Sequence, residues 1–456
     1  MIQGTTIAAV STPLAAGGIG IVRLSGDKAK EIASKVFAPV GERTVQNVPG
    51  FSAIYGKMYD SDGLIDDGIA TVYNGPKSYT GEDVVELSCH GGIYIVQRVL
   101  RACLANGAAA AAPGEFTKRA FVNGKLDLTS AEAVVDIINS NNAQALKAAL
   151  SAREGHTFAK IDSIKRQLIS LSANLAAWAD YPEEDLPELD DGSLLEGLQD
   201  AERTLTKLLN DYDKGSLYRS GVSTVIVGKP NVGKSTLMNL LSGREKSIVT
   251  PIAGTTRDVV EDTVSLGNIV LNLADTAGLR ETADVVEQAG VQLARRRMED
   301  SYLVIAVFDS SSPLDDEDME LINSIKGRPC VAVINKSDLE RKLDTAYLKE
   351  QLQFVAEVSA ANKEGVEELS HLVEQALGLN DLDLSADVVV NERQRNQAAL
   401  AKTAVEEAIS ALNGMMTLDA VNVCIDDAVA HLCELTGENA SAAVVEQVFS
   451  RFCVGK

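Results

Sequence analysis

A chain of 456 residues exceeds what one hydrophobic core organises, so roughly two to four domains are expected. With 45% hydrophobic and 23% charged residues it has ordinary globular composition, and no stretch approaches the about 18 consecutive apolar residues of a membrane span. A net charge of −23 excludes a general nucleic-acid binder, because phosphate contacts need clustered lysine and arginine; an RNA partner would have to be recognised locally or jointly with another protein.

The charge is unevenly spread: residues 1–125 carry 12 Lys+Arg against 11 Asp+Glu, and the rest of the chain holds the deficit. Solubility is its simplest meaning. The first residues lack a basic leader ahead of an apolar run, and the six cysteines show no CxxC or close pair. Neither a secretory signal, a disulfide framework nor a zinc site is expected, and a reducing cytoplasm fits.

Residues 1–120 alternate short β-branched runs (IGIVRL, IATVYN, DVVELS) with Gly, Pro and Asp turns and helical stretches. That predicts an α/β domain with mostly antiparallel strands. Its glycine clusters at 15–26 and 78–92 lack the spacing of a dinucleotide fingerprint. From 121 to 216 the pattern turns helical, with apolar residues at helical spacing over 129–155 and 161–181. PEEDLPELDDG (182–192) reads as an acidic, solvated connection.

Residues 217–378 carry the chemistry. STVIVGKPNVGKSTLMNLL (223–241) reads as strand, glycine-bearing loop and helix, matching G-x-x-x-x-G-K-[ST] at Gly228, Gly233, Lys234 and Ser235. Small residues let backbone N–H groups wrap phosphates at a helix N-terminus. Lys234 reaches the β- and γ-phosphates, and the Ser235 hydroxyl ligates Mg²⁺. LNLADTAG (271–278) is a strand ending in Asp275, placed to hold the magnesium shell, with the Gly278 N–H available to the γ-phosphate. PCVAVINKSD (329–338) ends in Asn335-Lys336-Ser337-Asp338, whose last carboxylate can accept both the N1–H and the 2-amino group of guanine. FVAEVSA (354–360) supplies a last strand with Ser359 and Ala360 at the base edge. The residue after Gly278 is Leu279, which cannot polarise water, so hydrolysis needs another device. Asn231 in the phosphate loop and the threonines and carbonyls of TPIAGTTRD (250–258) suggest a monovalent cation held against the phosphates, although this switch segment can equally exist only to bring Thr256 to magnesium.

Helical pattern returns at 393–412 and 427–437, so one helical domain interrupted by an inserted nucleotide-binding domain is the economical arrangement. Cys89, Cys103, Cys330, Cys424 and Cys433 sit in apolar runs and are expected in cores. The chain ends on CVGK (453–456), the outline of a prenylation box, but lysine is an unusual last residue and no polybasic stretch precedes it. A reactive thiol on a tail and a plain helix end are the other readings.

GGIGIVRLSG, SYTGEDVVELSCHGG, PGEFTKRAFVNGKLDL, GKPNVGKST, AGTTRD, DTAGLRET, NKSD and the terminal FCVGK together resemble the TrmE/MnmE family of tRNA-modification GTPases from end to end. The resemblance implies a multidomain α/β plus all-α fold. Its parts would be an N-terminal α/β domain for tetrahydrofolate binding and dimerisation (1–120), a discontinuous helical domain (121–216 and 379–456) and an inserted Ras-like P-loop G domain (217–378). It also implies a homodimer whose G domains meet in a potassium-dependent way during GTP hydrolysis. An FAD-dependent partner, MnmG (GidA), would form a heterotetramer with it. Using 5-formyl- or 5,10-methylene-tetrahydrofolate, that complex adds an aminomethyl or carboxymethylaminomethyl group to C5 of the wobble uridine of certain tRNAs.

Residue by residue, Asn231, Thr250, Ile252 (by its carbonyl) and Thr255 match the family's K⁺ ligands, and Ser235 and Thr256 its Mg²⁺ ligands. The GTP contacts match Asn231, Val232, Gly233, Lys234, Ser235, Thr236, Thr250, Thr255, Thr256, Asp275, Thr276, Ala277, Gly278, Asn335, Lys336, Asp338, Ser359 and Ala360. Glu287 matches the glutamate that positions the hydrolytic water where Leu279 cannot, and Arg23, Glu86, Lys125 and Lys456 match the folate contacts. Cys453 then becomes a thiol near a one-carbon carrier, either a nucleophile toward the uracil ring or a structural residue. Departures from the family pattern are Ala16 and Ala112, where arginine is common, and FCVGK in place of FCIGK. A ribosome-assembly GTPase of the Era or Der type shares the G-domain motifs, but no second G domain, KH-type GXXG pattern or basic C-terminal region is visible. A folate-regulated switch without chemistry of its own on tRNA is the other alternative.

Overall fold

Strand patterning decides the architecture of the first residues. The computed structural model describes residues 4–180, 191–243, 262–273, 298–379 and 391–456. Strands β1 (Ile7–Val10) and β2 (Ile19–Ser25) are followed by helix α1 (Ala29–Val36), then β3 (Phe37–Pro39), β4 (Ser52–Asp60), β5 (Gly63–Tyr73) and β6 (Val84–His90). Helix α2 (Ile93–Ala105), the short β7 (Ala109–Ala110) and α3 (Glu115–Val122) complete this part. The strands form one sheet in the order β3-β4-β5-β6-β2-β1-β7, antiparallel except where β1 meets β7. Along β4, Ile54 and Met58 are buried while Ala53, Tyr55, Lys57 and Tyr59 are exposed, so each alternate side chain faces the core shared with α1 and α2. The register sets Thr71, Glu86 and Arg23 side by side on β5, β6 and β2.

The helical residues follow as α4 (Leu128–Asn139), α5 (Ala143–Arg153), α6 (His156–Asp180) and α7 (Asp191–Ser220). The chain folds into two compact units: Met1–Val135 with Ala152–Glu202 and Asn396–Lys456, and Asp136–Ser151 with Arg203–Arg395. The second unit therefore takes in helical residues on the N-terminal side of 217, and Ala148, Leu217 and Tyr218 contribute to its core.

That second unit holds a six-stranded sheet built from β8 (Val222–Val227), β9 (Asp262–Leu266), β10 (Ile269–Leu273), β11 (Leu303–Asp309), β12 (Cys330–Asn335) and β13 (Val355–Glu357). Helices α8 (Lys234–Ser242), α9 (Asp316–Ile325), α10 (Thr345–Gln351) and α11 (Val366–Ala376) accompany them. The order is β13-β12-β11-β8-β10-β9, with only the β9–β10 pair antiparallel. β11 is buried at every residue but its last, as a strand covered on both faces must be: Ile305 and Val307 enter one core, Val304, Ala306 and Phe308 the other. Burying a side chain such as Phe308 stabilises by roughly 1.5–3 kcal/mol.

In the first unit α12 (Glu392–Asn413), begun in the other unit, is followed by α13 (Leu418–Thr436) and α14 (Ala442–Ser450). α13 buries Val421, Ile425, Ala428, Leu432 and Leu435, a stripe at helical spacing. Phe449 and Phe452 pack with Leu128, Ala131 and Val134 of α4, their rings 5.2 Å apart, and so fix where the last residues begin. Of the cysteines expected in cores, Cys89 and Cys103 are buried, whereas Cys330, Cys424 and Cys433 are only half-buried and Cys453 is exposed. For Cys433 the departure has a local cause: it lies on α13 beside the polar Glu438–Lys165 contact.

Candidate nucleotide site and the C-terminal tail

Between β8 and α8 the chain turns through a loop whose shape depends on two unusual backbone conformations. Asn231 has φ 62° and Gly233 has φ 95°, both left-handed. Asparagine is among the few residues that tolerate this region. Gly233 has no alternative, since a Cβ there would lie 2.2 Å from the Asn335 amide nitrogen. Gly233 is also the N-cap of α8, so the helix N-terminus and the loop amides share one concavity. Val232 is buried, while Ser235 and Thr236 are exposed in the first turn of α8.

Lys234 donates to the carbonyls of Gly228 and Lys229, 2.7 Å each. Burial lowers its pKa, and among the described residues no carboxylate is recorded against it. A buried ammonium served only by carbonyls suits a polyanion, which would supply the missing charge.

The base end is assembled from the other edge of the sheet. Asn335, 2% exposed, donates through Nδ2 to the Val232 carbonyl at 2.9 Å and accepts through Oδ1 from the Ala360 N–H at 3.1 Å. One side chain thus ties the phosphate loop to the last strand's loop. Ser359 Oγ donates to Asp338 Oδ1 at 2.5 Å, orienting an exposed carboxylate whose second oxygen is left for a base edge. Lys336, also left-handed at φ 61°, pairs with Asp309 at 2.6 Å. Burial raises the pKa of Asp309, but hydrogen bonds from Lys336 and Ser311 outweigh it and hold the carboxyl below its ordinary range. A cavity of about 300 Å³ beside the loop is lined by Lys229, Pro230, Asn231, Val232, Asp309, Ser312, Pro313 and Asp318. Of the residues expected at this site, Thr250, Ile252, Thr255, Thr256, Asp275, Thr276, Ala277, Gly278 and Glu287 lie outside the described residues.

A second constellation lies in the first unit. Arg23 donates through Nε to Glu86 Oε1 at 2.8 Å, and its guanidinium stands 5.9 Å over the Tyr79 ring and 5.7 Å over that of Phe116. Tyr73 Oη approaches Glu86 Oε2 at 3.5 Å. The tail arrives here: the Gly455 carbonyl accepts from Ser11 Oγ at 3.1 Å and from Arg23 Nη1 at 3.3 Å, Val454 bridges to Pro113, and the Cys453 carbonyl accepts from the Gly114 N–H at 3.4 Å. Gly455 has φ 97°, and a Cβ on it would lie 2.1 Å from the Val10 carbonyl oxygen, so only glycine fits.

Lys456 is half-buried; burial and the nearby Arg23 charge both lower its pKa. Arg23, Lys456 and Glu86 thus bring cationic donors and a carboxylate acceptor into one site, which suits a ligand bearing carbonyl, carboxylate and amino groups. Lys125 stands apart, exposed, with its ammonium on the Pro76 carbonyl at 3.1 Å. A cavity of about 370 Å³ in the same unit is lined by none of Arg23, Glu86, Lys125 and Lys456. Its Arg119 is already committed to Glu82 and Glu115, so the charged tail site is the better candidate. Tyr73, Tyr79, Phe116 and Ser11 were not foreseen; strand alternation could have marked Tyr73 as facing the same side as Thr71, and nothing local marks the rest.

Comparison with known proteins identifies the family. The family described as MnmE helical domain matches residues 128–453, and that described as GTP-binding protein TrmE N-terminus matches 6–125. The tRNA modification GTPase MnmE of Acetivibrio thermocellus is 38% identical over 461 residues, with 100% of each chain covered. That of Thermoanaerobacter sp. (strain X514) is 38% identical over 456 residues, with 99% of each covered. Among solved structures, the G domain of T. maritima FeoB aligns at 25% identity and TM-score 0.26, covering 34% of this chain and 98% of that one. The chain belongs to the family of tRNA modification GTPases named MnmE, with a TrmE-type N-terminal domain and the MnmE helical domain.

Proposed function

We propose that this chain is a potassium-activated GTPase. Acting as a homodimer with the FAD-dependent partner MnmG in the cytoplasm, it modifies C5 of the wobble uridine of certain tRNAs with a one-carbon unit from 5-formyl- or 5,10-methylene-tetrahydrofolate. The observation that carries the reading is the docking of the C-terminal tail on Arg23, which joins Lys456 to the Arg23–Glu86 pair.

In the nucleotide site, Lys234 neutralises the β- and γ-phosphates of GTP, and the loop amides and the α8 N-terminus orient them. Asp338 and the Ala360 N–H select guanine. Ser235 with Thr256 would hold Mg²⁺, and Asn231 with Thr250, Ile252 and Thr255 would hold K⁺. Magnesium supplies charge neutralisation on the transferred phosphoryl group, and potassium the charge an arginine finger supplies elsewhere. Glu287 orients the attacking water in place of Leu279. In the tail site, Glu86 pairs with the amino edge of the pterin and Arg23 and Lys456 meet its carbonyl and carboxylate groups, while Lys125, outside this cluster, is a further contact for a carboxylate of the ligand. Cys453 is exposed on the tail, where it is either a nucleophile toward the uracil ring or a structural residue.

The decisive experiment is nucleoside analysis of wobble uridine in tRNA from cells lacking this chain. Loss of the C5 modification is expected; an unchanged nucleoside profile with a ribosome-assembly defect would overturn the reading in favour of the Era/Der type.

A further inference from the structure

One lysine of the phosphate loop is used by neither the phosphate contacts nor the base contacts. Lys229 directs its ammonium away along the sheet to the start of α9, 2.6 Å from Asp315 Oδ2 and 2.7 Å from Asp318 Oδ2. Those two aspartates already close a capping box on α9: the Asp318 N–H donates to Asp315 Oδ1 at 3.1 Å, and the Asp315 N–H donates to Asp318 Oδ2 at 3.2 Å. Asp318's side chain is 4% exposed, so the lysine meets a fixed, largely desolvated partner rather than a mobile surface charge. Burial lowers the ammonium's pKa and its hydrogen bonds to both carboxylates raise it by more, so it stays charged.

The consequence for the loop lies in its backbone. Lys229's own carbonyl is one of the two that hold Lys234 Nζ. Two residues on, Asn231 is left-handed, and one residue further the Val232 carbonyl is pinned by Asn335. Unfavourable backbone conformations of this kind persist only where the surroundings over-determine them. Asn231 is fastened on both sides, by Asn335 after it and by the aspartate pair before it.

We propose that Lys229 is a positioning residue for nucleotide binding: clamped by Asp315 and Asp318, it holds the phosphate loop in the shape that receives the phosphates. The inference rests on the reading of this loop as the GTP site. Without the clamp the loop samples other shapes, and apparent affinity falls by the fraction of time the competent shape is lost.

The test is titration of the full chain with a fluorescent GDP analogue, together with GTP hydrolysis kinetics. Lys229→Met should raise the dissociation constant and KM about tenfold with kcat at saturating GTP within twofold, while Lys229→Arg should restore affinity to within about threefold. Asp318→Asn separates the clamp from simple charge. If Lys229 acted only as a positive charge near phosphate, removing a nearby negative charge would tighten binding; the clamp requires weaker binding, and a Lys229→Met/Asp318→Asn double variant no weaker than the worse single one. Asp318 is the N3 residue, so the N-cap Asp315 is untouched and an asparagine oxygen can still accept from the Asp315 N–H; α9 survives the change, and an unchanged melting temperature verifies it. Lys229→Met binding within twofold of the parent, or tighter binding by Asp318→Asn, overturns the proposal. A parent chain that binds no guanine nucleotide overturns the nucleotide reading beneath it.

Discussion

Replacing Gly455 with alanine should release the last residues of the chain while leaving the rest folded. The alanine would sit at φ 97° with its Cβ 2.1 Å from the Val10 carbonyl oxygen and 3.0 Å from the Ser11 Cα. Val10 is held in place by its pairing with Val22 of β2. The left-handed conformation alone costs a non-glycine residue roughly 1–2 kcal/mol. Moving the residue out to escape that strain and the clash instead forfeits the hydrogen bonds from Ser11 and Arg23 to its carbonyl, each worth about 1 kcal/mol net. By either route about 2 kcal/mol is lost, which shifts the local docking equilibrium by about 30-fold. Phe449 and Phe452 stay in their cluster with α4, so the damage is confined to 453–456. Carboxypeptidase release of Lys456 reads the docking directly and should accelerate by about that factor, with the melting temperature nearly unchanged. Tetrahydrofolate affinity, followed by calorimetry, should fall at least tenfold as Lys456 leaves Arg23 and Glu86. Release of Lys456 at the parent's rate would refute the docking reasoning, whatever the folate result.

Asn335→Ala removes a buried amide and leaves the Val232 carbonyl and the Ala360 N–H without it; a loss of about 2–4 kcal/mol is expected, divided between nucleotide affinity and unfolding of the second unit, and read by nucleotide titration alongside urea melts. The exposed His90 has a pKa raised by its hydrogen bond to Asp66 and that carboxylate's charge; burial raises the pKa of Asp66, but hydrogen bonds from His90 outweigh it and hold the carboxyl below its ordinary range. The stability His90 contributes is therefore fully present below about pH 6.5, its ordinary pKa, and is lost as pH rises through the raised value. His90→Gln should lower the melting temperature near pH 6 and leave it unchanged near pH 9; a pH-independent difference would refute the pairing.

Local chemistry made the nucleotide loop legible. GKPNVGKS needs small residues, a lysine and a hydroxyl within eight positions because the wrapping of phosphate by backbone amides happens within one turn. The same locality made several strands visible: IGIVRL, IATVYN and DVVELS in the first sheet and STVIV and CVAVIN in the second are each written in a handful of consecutive side chains. The pairing of Arg23 with Glu86 was expected only as two separate charges matching a family pattern; that they form one ion pair follows from strand register, which composition does not reveal.

Sequence alone determined the α/β and helical character of the main segments and the family to which the chain belongs, since each rests on short-range pattern. Only the tertiary structure decided that the tail lies as a strap whose Gly455 carbonyl meets Arg23, 432 residues away. It likewise decided that Asn335 secures a loop 103 residues earlier and that Lys229 reaches the cap of α9. Contacts between distant residues are chosen by how whole elements pack, and a single sequence carries no local mark of that choice.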